Sequence, residues 1–269
     1  MKAWITRDIA PLMTQPTRMC ELADEVLFGM PVEILSLEEG EWYRVRTHYR
    51  YESLLHRDDF LPEELCDPRW IEAEKKIIIT PYADIHVEPK VQGAFLQGIP
   101  RGGWVALLDE TKDRWQKVIL PNGVEGWTYA ENLTDLIELD AIENEQELRE
   151  ALVKTAEMYL GAQYRWGGKT MAGLDCSGLV SIAYLINGYI IYRDAQIKQG
   201  FILKEIPKEE IKKGDLMFFP GHVAMYIGDG RYIHSSAGNN GVAYNNLNDE
   251  DDYSKGLLNS FRQAASIFG

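Results

Sequence analysis

One cysteine and two histidines have the side-chain types that nucleophilic catalysis requires. Cys176 lies in the segment Gly173-Leu174-Asp175-Cys176-Ser177-Gly178, and His222 and His234 follow it within two short apolar runs. A thiol attacks a carbonyl carbon when a neighbouring base takes its proton, and a further polar group must orient that base. We therefore predict that Cys176 is the nucleophile, that His222 is the base and that His234 fixes the tautomer of His222.

The same three side chains are also of the types that bind zinc. A zinc site is typically built from closely spaced pairs of ligands, such as CxxC, and has four ligands in all. The sequence has no such pair near Cys176 and no evident fourth ligand. We predict no metal site and, in the absence of a cofactor motif, no cofactor.

A helix beginning at Cys176 is predicted to position the nucleophile. Asp175 is a helix-capping residue type, and the apolar residues that follow recur at helical spacing: Leu179, Ile182 and Ala183. Cys176 then falls in the first helical turn, where exposed amides and the helix dipole favour a thiolate. We expect the pKa of Cys176 to be lowered.

The two histidines are predicted to lie on neighbouring strands, because Gly228-Asp229-Gly230 between two strand-like runs is a strong hairpin signal. A two-residue loop would pair Met225 with His234 and place the histidines on opposite faces. A three-residue loop or a bulge would pair Ala224 with His234 and place both on one face. The catalytic hypothesis needs the second arrangement, which we predict.

The first half of the chain contains an internal repeat at an offset of 115 − 42 = 73 residues. Glu41-Trp42-Tyr43-Arg44-Val45-Arg46 corresponds to Arg114-Trp115-Gln116-Lys117-Val118-Ile119, and both alternate like half-buried strands. Turn signals such as Pro121-Asn122-Gly123 bound these short strands, which favours two copies of a small β-barrel. We interpret three tryptophans as barrel core, with ligand stacking as the alternative: Trp42, Trp115 and Trp127.

An acidic stretch from Asp135 to Glu147 precedes a third domain. It leads into a predicted helical face made of Leu148, Leu152, Thr155, Ala156 and Tyr159, with Gly161 as the stop. The predicted domains are therefore residues 1–68 and 69–137, each a small barrel, and residues 138–269.

Composition narrows the possible partners. Lys plus Arg number 28 and Asp plus Glu number 42, so the net charge is −14 and phosphate backbones are repelled. Three cysteines without CxxC spacing argue against a disulfide framework, and no apolar run has the length of a signal sequence or a membrane span. We expect a cytoplasmic monomer that binds a small-molecule substrate and neither nucleic acid nor membrane.

The order of motifs in residues 140–269 resembles that of the NlpC-type cell-wall cysteine peptidases. The resembling segments are Tyr164-Arg165-Trp166-Gly167-Gly168, Leu174-Asp175-Cys176-Ser177-Gly178, Gly214-Asp215-Leu216, His222-Val223-Ala224-Met225-Tyr226-Ile227-Gly228 and Ile233-His234-Ser235. The resemblance implies a papain-like domain in which the nucleophile helix packs on an antiparallel sheet. The predicted fold class is α+β, with this domain preceded by two small all-β barrels.

Gly126-Trp127-Thr128-Tyr129 in the second copy resembles the bacterial Src-homology-type barrels that accompany cell-wall hydrolases, whereas the first copy has Ser53-Leu54 in place of Gly-Trp. Family members with two such barrels are similar to γ-D-glutamyl-L-diamino-acid endopeptidases. This resemblance implies hydrolysis of the bond between D-glutamate and the diamino acid in free muropeptides with an N-terminal L-alanine, during cell-wall peptide recycling. The alternatives are a non-catalytic wall-fragment binding protein and an amidase or acyltransferase on the same scaffold.

The resemblance also implies further site residues. Tyr164 is expected beside the thiolate, where its hydroxyl helps the backbone N–H of Cys176 to hold the oxyanion. Asp175 and Ser177, which flank the nucleophile, are candidates for substrate contacts.

The specificity pocket is predicted from a second motif. In the related subgroup an Asp in an Arg-Asp-Ser or Arg-Asp-Ala segment binds the substrate amine, and Arg193-Asp194-Ala195 matches it. A Glu and a Tyr of the first barrel complete the amine pocket there, which implies Glu21 and Tyr51, with Glu25 as a rival to Glu21.

Overall fold

The computed structural model describes residues 1–137 and 144–268. The chain divides into two compact units, Met1–Leu136 and Ile137–Gly269. Residues 138–143 of the predicted acidic stretch lie outside the described residues. Within the described ranges, no helix combines the length and the apolar character that crossing a membrane requires.

Two seven-stranded antiparallel sheets make up the first unit. The first sheet comprises β1 (Lys2–Ile5), β2 (Ile9–Met13), β3 (Leu22–Leu27), β4 (Pro31–Leu37), β5 (Trp42–Thr47), β6 (Glu52–His56) and β7 (Phe60–Pro62). The second comprises β8 (Lys75–Ile78), β9 (Tyr82–His86), β10 (Phe95–Pro100), β11 (Trp104–Lys112), β12 (Trp115–Ile119), β13 (Glu125–Tyr129) and β14 (Leu133–Asp135). The short helix α1 (Pro68–Glu72) lies between them in the sequence.

The two sheets have the same topology. The strand order is β3-β2-β6-β5-β4-β1-β7 in the first and β10-β9-β13-β12-β11-β8-β14 in the second, which is the first order with seven added to each number. All seven corresponding strand pairs also begin 73 residues apart, as Trp42 and Trp115 do. The predicted repeat is therefore confirmed, while the predicted boundary between residues 68 and 69 stays a prediction.

The three repeat tryptophans divide between two environments. Trp42 and Trp115 are each 8% exposed and belong to the core, as predicted. Trp127 is only half-buried, because its neighbours Gly126 and Thr128 are the residues of β13 that face inward. The prediction that Trp127 is a core residue is therefore wrong.

Close backbone contact joins the two sheets of the first unit. The amide of Trp104 donates a hydrogen bond to the carbonyl of Phe28 at 2.8 Å. Gly29 has a φ of +74°, and a Cβ atom there would lie 2.2 Å from the carbonyl oxygen of Trp104. Only glycine meets both conditions, so residue 29 allows the two copies to pack.

The second unit combines helices with a six-stranded antiparallel sheet. Its helices are α2 (Glu145–Glu157), α3 (Cys176–Ile186) and α4 (Asp252–Asn259). Its sheet has the order β17-β22-β18-β19-β20-β21 and comprises β17 (Lys204–Ile206), β18 (Leu216–Phe219), β19 (His222–Gly228), β20 (Arg231–Ser236), β21 (Gly241–Asn246) and β22 (Gln263–Ser266). A two-stranded hairpin of β15 (Lys169–Thr170) and β16 (Gly173–Leu174) precedes α3. The α+β class is confirmed.

Helix packing brings α3 against the middle of this sheet. Four of the five residues predicted to form a helical face are buried on α2: Leu148, Leu152, Thr155 and Ala156. Tyr159 is also buried but follows the helix, which ends at Glu157 and not at the predicted stop, Gly161. Asn144 caps α2 by accepting hydrogen bonds from the amides of Gln146 and Glu147. Helix α2 packs on α3, and α3 packs on β19 and β20. The first residue of α3 and the first residue of β19 are Cys176 and His222, so two of the predicted catalytic residues stand at the starts of packed elements.

Candidate active site

Helix α3 begins at Cys176 because its local sequence caps it there. Asp175 adopts an extended backbone and accepts a hydrogen bond at Oδ1 from the amide of Gly178, at 2.6 Å. A Cβ atom at Gly178 would lie 2.1 Å from the carbonyl oxygen of Gly168. The loop that contains Gly168 therefore packs directly on the first turn of the helix, which only a glycine at position 178 permits.

A buried ion pair fixes the start of this helix. Nη1 of Arg193 donates to Oδ1 of Asp175 at 3.0 Å, and Nη2 donates to Oδ2 at 3.2 Å. Nη1 also donates to the Ser177 hydroxyl at 2.8 Å, and Oδ2 of Asp175 accepts the amide of Gly167 at 2.7 Å. Asp175 and Ser177 are each 7% exposed, so these contacts give them a positioning role. Their contact with substrate stays a prediction.

The sulfur of Cys176 is buried but lies among polar groups. It is 5% exposed and accepts hydrogen bonds from the amides of Val223 and Ser177. The pKa of Cys176 is raised to about 11, first by burial and then by the negative charge of Asp175, against the lowering effect of the two amides. The expectation of a lowered pKa is wrong for the free protein: desolvation and the capping carboxylate outweigh the helix start.

The histidines lie on one face of the sheet. Met225 pairs with Ile233, so Ala224 stands opposite His234, and a bulge near the end of β19 adds the extra residue that this register needs. His222 is two residues from Ala224 and shares its face. Nε2 of His222 lies 2.8 Å from Nδ1 of His234. The predicted same-face arrangement is confirmed.

Two asparagines that the sequence reasoning missed surround His234. Nε2 of His234 lies 3.0 Å from Oδ1 of Asn245 and 3.1 Å from Nδ2 of Asn239. Asn245 is on β21, where Ala243 pairs with His234, so residue 245 shares the histidine face. The alternation along β21 was the signal that would have found it, once the pairing of β20 with β21 was known.

Both imidazoles remain neutral at pH 7. The pKa of His222 is lowered to about 3, first by burial and then by His234, and Asp175 opposes both effects. Burial also lowers the pKa of His234, to about 4, and the hydrogen bond with Asn245 opposes this. A neutral imidazole has one nitrogen with a free lone pair. Since Nε2 of His222 contacts His234, its Nδ1 is the nitrogen left to take a proton from a thiol.

Tyr164 lies next to the nucleophile segment. It forms an isolated bridge with Leu174, two residues before Cys176. The pKa of Tyr164 is raised to about 12, first by burial and then by the ionised form of Cys176. The phenol is therefore a hydrogen-bond donor at neutral pH near the sulfur. Its role at an oxyanion stays a prediction.

The predicted amine-pocket residues occupy three different settings. Asp194 is half-buried and accepts a hydrogen bond from the hydroxyl of Tyr192. Tyr51 is half-buried at the turn between β5 and β6, and Glu21 is exposed just before β3. The rival Glu25 lies within β3 and is 3% exposed. The choice among these residues stays a prediction.

Metal binding was the alternative use of the cysteine and the histidines. In the part of the chain that the structure describes, no three or more His, Cys, Asp or Glu side chains are grouped as a metal site requires. The geometry instead forms a line from Asn245 through His234 to His222. That line, together with the buried thiol, has the parts needed for nucleophilic catalysis.

Comparison with known proteins agrees with this chemistry. The model of the NlpC/P60 family matches residues 161–261, which contain Cys176, His222 and His234. Dipeptidyl-peptidase 6 of Lysinibacillus sphaericus is 39% identical over 272 residues, which is 100% of each chain. A gamma-D-glutamyl-L-lysine dipeptidyl-peptidase of Bacillus cereus is 29% identical over 236 residues, 81% of this chain and 68% of that protein.

A solved structure has the same fold. The crystal structure of an NlpC/P60 family protein from Bacillus cereus superposes with a TM-score of 0.81 and 23% identity, over 100% of both chains. The relative that is 39% identical over the full length establishes the family. The chain belongs to the NlpC/P60 family and is a cysteine peptidase.

Proposed function

We propose that this peptidase cleaves the bond between the γ-carboxyl group of D-glutamate and the amino group of an L-diamino acid in short cell-wall peptides. The observation that carries the proposal is the contact of 2.8 Å between His222 and His234 on the sheet that packs on the Cys176 helix. The names of the two relatives, a dipeptidyl-peptidase and a gamma-D-glutamyl-L-lysine dipeptidyl-peptidase, support the choice of bond.

The chemistry begins with a neutral thiol and a neutral imidazole. Nδ1 of His222 takes the proton of Cys176 as the sulfur attacks the γ-carbonyl carbon, so a C–S bond forms and the carbonyl becomes an oxyanion. The backbone N–H of Cys176 and the hydroxyl of Tyr164 are the proposed oxyanion donors. Because the resting thiol is protonated, proton transfer accompanies the attack rather than preceding it.

The thioester then forms and is hydrolysed. The proton on His222 passes to the nitrogen of the diamino acid as the C–N bond breaks, and the acyl group stays on Cys176. Water attacks the thioester carbonyl, gives a proton to His222 and releases the dipeptide with a free γ-carboxylate. The thiol regains its proton from His222, and the cycle closes.

The proposed substrate carries a free N-terminal amine. Asp194 is the proposed partner of that ammonium group, because its carboxylate is half-buried and follows Arg193, which is anchored to Asp175 beside the nucleophile. A charge-assisted hydrogen bond of this kind discriminates strongly against a blocked amine. The net charge of −14 repels anionic wall polymer, so a small soluble peptide is the more suitable substrate.

Product analysis tests the proposal. The purified protein is incubated with L-Ala-γ-D-Glu-L-Lys, with the diaminopimelate analogue and with the N-acetylated form of each. We expect L-Ala-D-Glu as the product from the free peptides and little cleavage of the acetylated ones. Equal cleavage of both forms would overturn the amine requirement, and cleavage at another bond would overturn the assigned specificity.

A cytoplasmic role in recycling wall peptides is part of the same proposal. The three cysteines, Cys20, Cys66 and Cys176, are all free thiols, which suits a reducing compartment. Fractionation of cells with an antibody against the protein, together with a comparison of rates on soluble peptide and intact wall, tests this. Recovery outside the cytoplasm, or faster turnover of intact wall, would contradict it.

A further inference from the structure

We propose that Asn245 fixes the tautomers of His234 and His222, so that the lone pair of His222 is on Nδ1, the nitrogen that accepts the thiol proton. Asn245 is therefore a positioning residue that acts through two imidazoles. Its catalytic importance rests on the proposed function, since the tautomer matters to turnover only if His222 is the base. The tautomers themselves can be observed without substrate.

The orientation of the Asn245 amide is set on its far side. Its Nδ2 lies 3.0 Å from the hydroxyl of Ser254 and 3.5 Å from Oδ2 of Asp249. The same oxygen of Asp249 accepts the amide of Asn246 at 2.7 Å, which holds that carboxylate in place. An ionised carboxylate accepts hydrogen bonds and donates none, so the amide nitrogen of Asn245 must face it.

The amide oxygen of Asn245 then faces the histidine. Oδ1 accepts from Nδ2 of Asn239 at 2.6 Å and lies 3.0 Å from Nε2 of His234. Because Oδ1 is only an acceptor, Nε2 of His234 must carry the hydrogen. Nδ2 of Asn239 is 3.1 Å from the same Nε2 and has a second hydrogen, since its first is used in the contact with Oδ1. If Nε2 accepted that second hydrogen, its lone pair would face the lone pairs of Oδ1 at the shorter distance of 3.0 Å, which is repulsive.

The hydrogen on one imidazole dictates the hydrogen on the next. With Nε2 of His234 protonated and the ring neutral, its Nδ1 has only a lone pair. That atom lies 2.8 Å from Nε2 of His222, which must therefore donate. The lone pair of neutral His222 is left on Nδ1. With the opposite tautomer, Nδ1 would carry a hydrogen and could not accept the thiol proton.

Aromatic rings and two carboxylates surround the histidine pair. The rings of Tyr232 and Tyr253 face His234 at centroid distances of 5.2 and 6.4 Å, and the ring of Phe219 faces His222 at 5.9 Å. The charged groups nearby are Asp175, which raises the pKa of His222, and Asp249 behind Asn245. Among the described contacts, neither carboxylate is hydrogen-bonded to an imidazole of the pair, so Asn245 is the group that ends the line.

The test is the tautomeric state of each ring in the intact protein. The chain has five histidines, so ¹⁵N-labelled histidine gives a spectrum that His222→Gln and His234→Gln variants suffice to assign. In the wild type at pH 7 we expect both rings with the hydrogen on Nε2. A hydrogen on Nδ1 of His234 would overturn the inference.

Substitutions at position 245 extend the test. Asn245→Leu removes the acceptor at similar size, and we expect mixed tautomers and a kcat that falls by roughly tenfold or more, with KM little changed. Asn245→Asp keeps an acceptor and adds a charge, so we expect the Nε2–H tautomer to persist and the pKa of His234 to rise. Wild-type tautomers in Asn245→Leu, or mixed ones in Asn245→Asp, would contradict the role.

Controls separate this inference from folding and from the proposed function. Asn246→Leu changes the next residue of β21, which points to the other face, and its spectrum should match the wild type. If Asn245→Leu does not fold, Asn245→Asp still reports the tautomer. Wild-type protein with the expected tautomers but no peptide cleavage would refute the proposed function alone, whereas cleavage with the opposite tautomers would refute the inference alone.

Discussion

Lowering the pH from 8 to 5 should destabilise the second unit through His234. This ring is 0% exposed, and burial lowers its pKa to about 4 in the folded protein, compared with 6.5 for the ordinary group. The unfolded chain therefore binds a proton near pH 5 that the folded chain does not bind. The stabilising effect is complete above pH 6.5 and is lost as the pH falls towards 4.

The size of the effect follows from proton linkage. At pH 5 the imidazole of His234 is almost fully protonated in the unfolded chain and almost fully neutral in the folded protein. The free energy of unfolding is therefore lower by about 2 kcal/mol at pH 5 than at pH 8. Carboxylates elsewhere also change stability over this range, so the informative quantity is the difference between the wild type and His234→Gln. Between pH 8 and pH 5, the free energy of unfolding should fall by about 2 kcal/mol less in His234→Gln than in the wild type.

Hydrogen exchange of the β19 and β20 amides, measured by mass spectrometry at several urea concentrations, gives the free energy of unfolding of this sheet at each pH. His56→Gln, which changes a ring of the first unit, is the matched control and should keep the wild-type dependence. Equal pH dependence in the wild type and in His234→Gln would refute the reasoning, because the buried ring would then gain its proton without cost.

Two further predictions concern the start of α3. Arg193→Met leaves the carboxylate of Asp175 buried without its counter-charge, so the free energy of unfolding in urea should fall by about 3–5 kcal/mol. In the control Lys213→Met, which breaks a surface pair with Glu150, it should fall by less than about 1 kcal/mol. A loss at Arg193 as small as that at Lys213 would contradict the buried-pair account. Asp175→Asn removes a charge that raises the pKa of Cys176, so the midpoint of thiol alkylation against pH should move lower; an unchanged or higher midpoint would count against this cause.

Local patterns in the sequence predicted the helix and the hairpin that hold the proposed catalytic side chains. The capping Asp175 predicted a helix that begins at Cys176, and the Gly-Asp-Gly turn predicted the hairpin. The turn left two registers open, and the catalytic hypothesis selected the one that places both histidines on one face. Both signals act within a few residues, and tertiary packing does not alter them. The repeat was predictable for the same reason, because equivalent strands carry equivalent patterns.

Properties that depend on surroundings were not predictable. The helix start was expected to lower the pKa of Cys176, but the sulfur is buried and next to Asp175, and the balance reverses. Trp127 is half-buried because the inward face of β13 is set by its pairing. Asn245 was missed because its contact with His234 requires the register of a third strand.

During turnover, the sulfur of Cys176 should become acylated as its proton passes to His222. Rapid quenching during turnover of L-Ala-γ-D-Glu-L-Lys, followed by mass spectrometry of the intact protein and its peptides, measures this directly. We predict an L-Ala-γ-D-Glu adduct on the peptide that contains Cys176, no adduct and no turnover in Cys176→Ala, and no adduct in His222→Ala. Turnover by folded Cys176→Ala, or an adduct on any other residue, would contradict it.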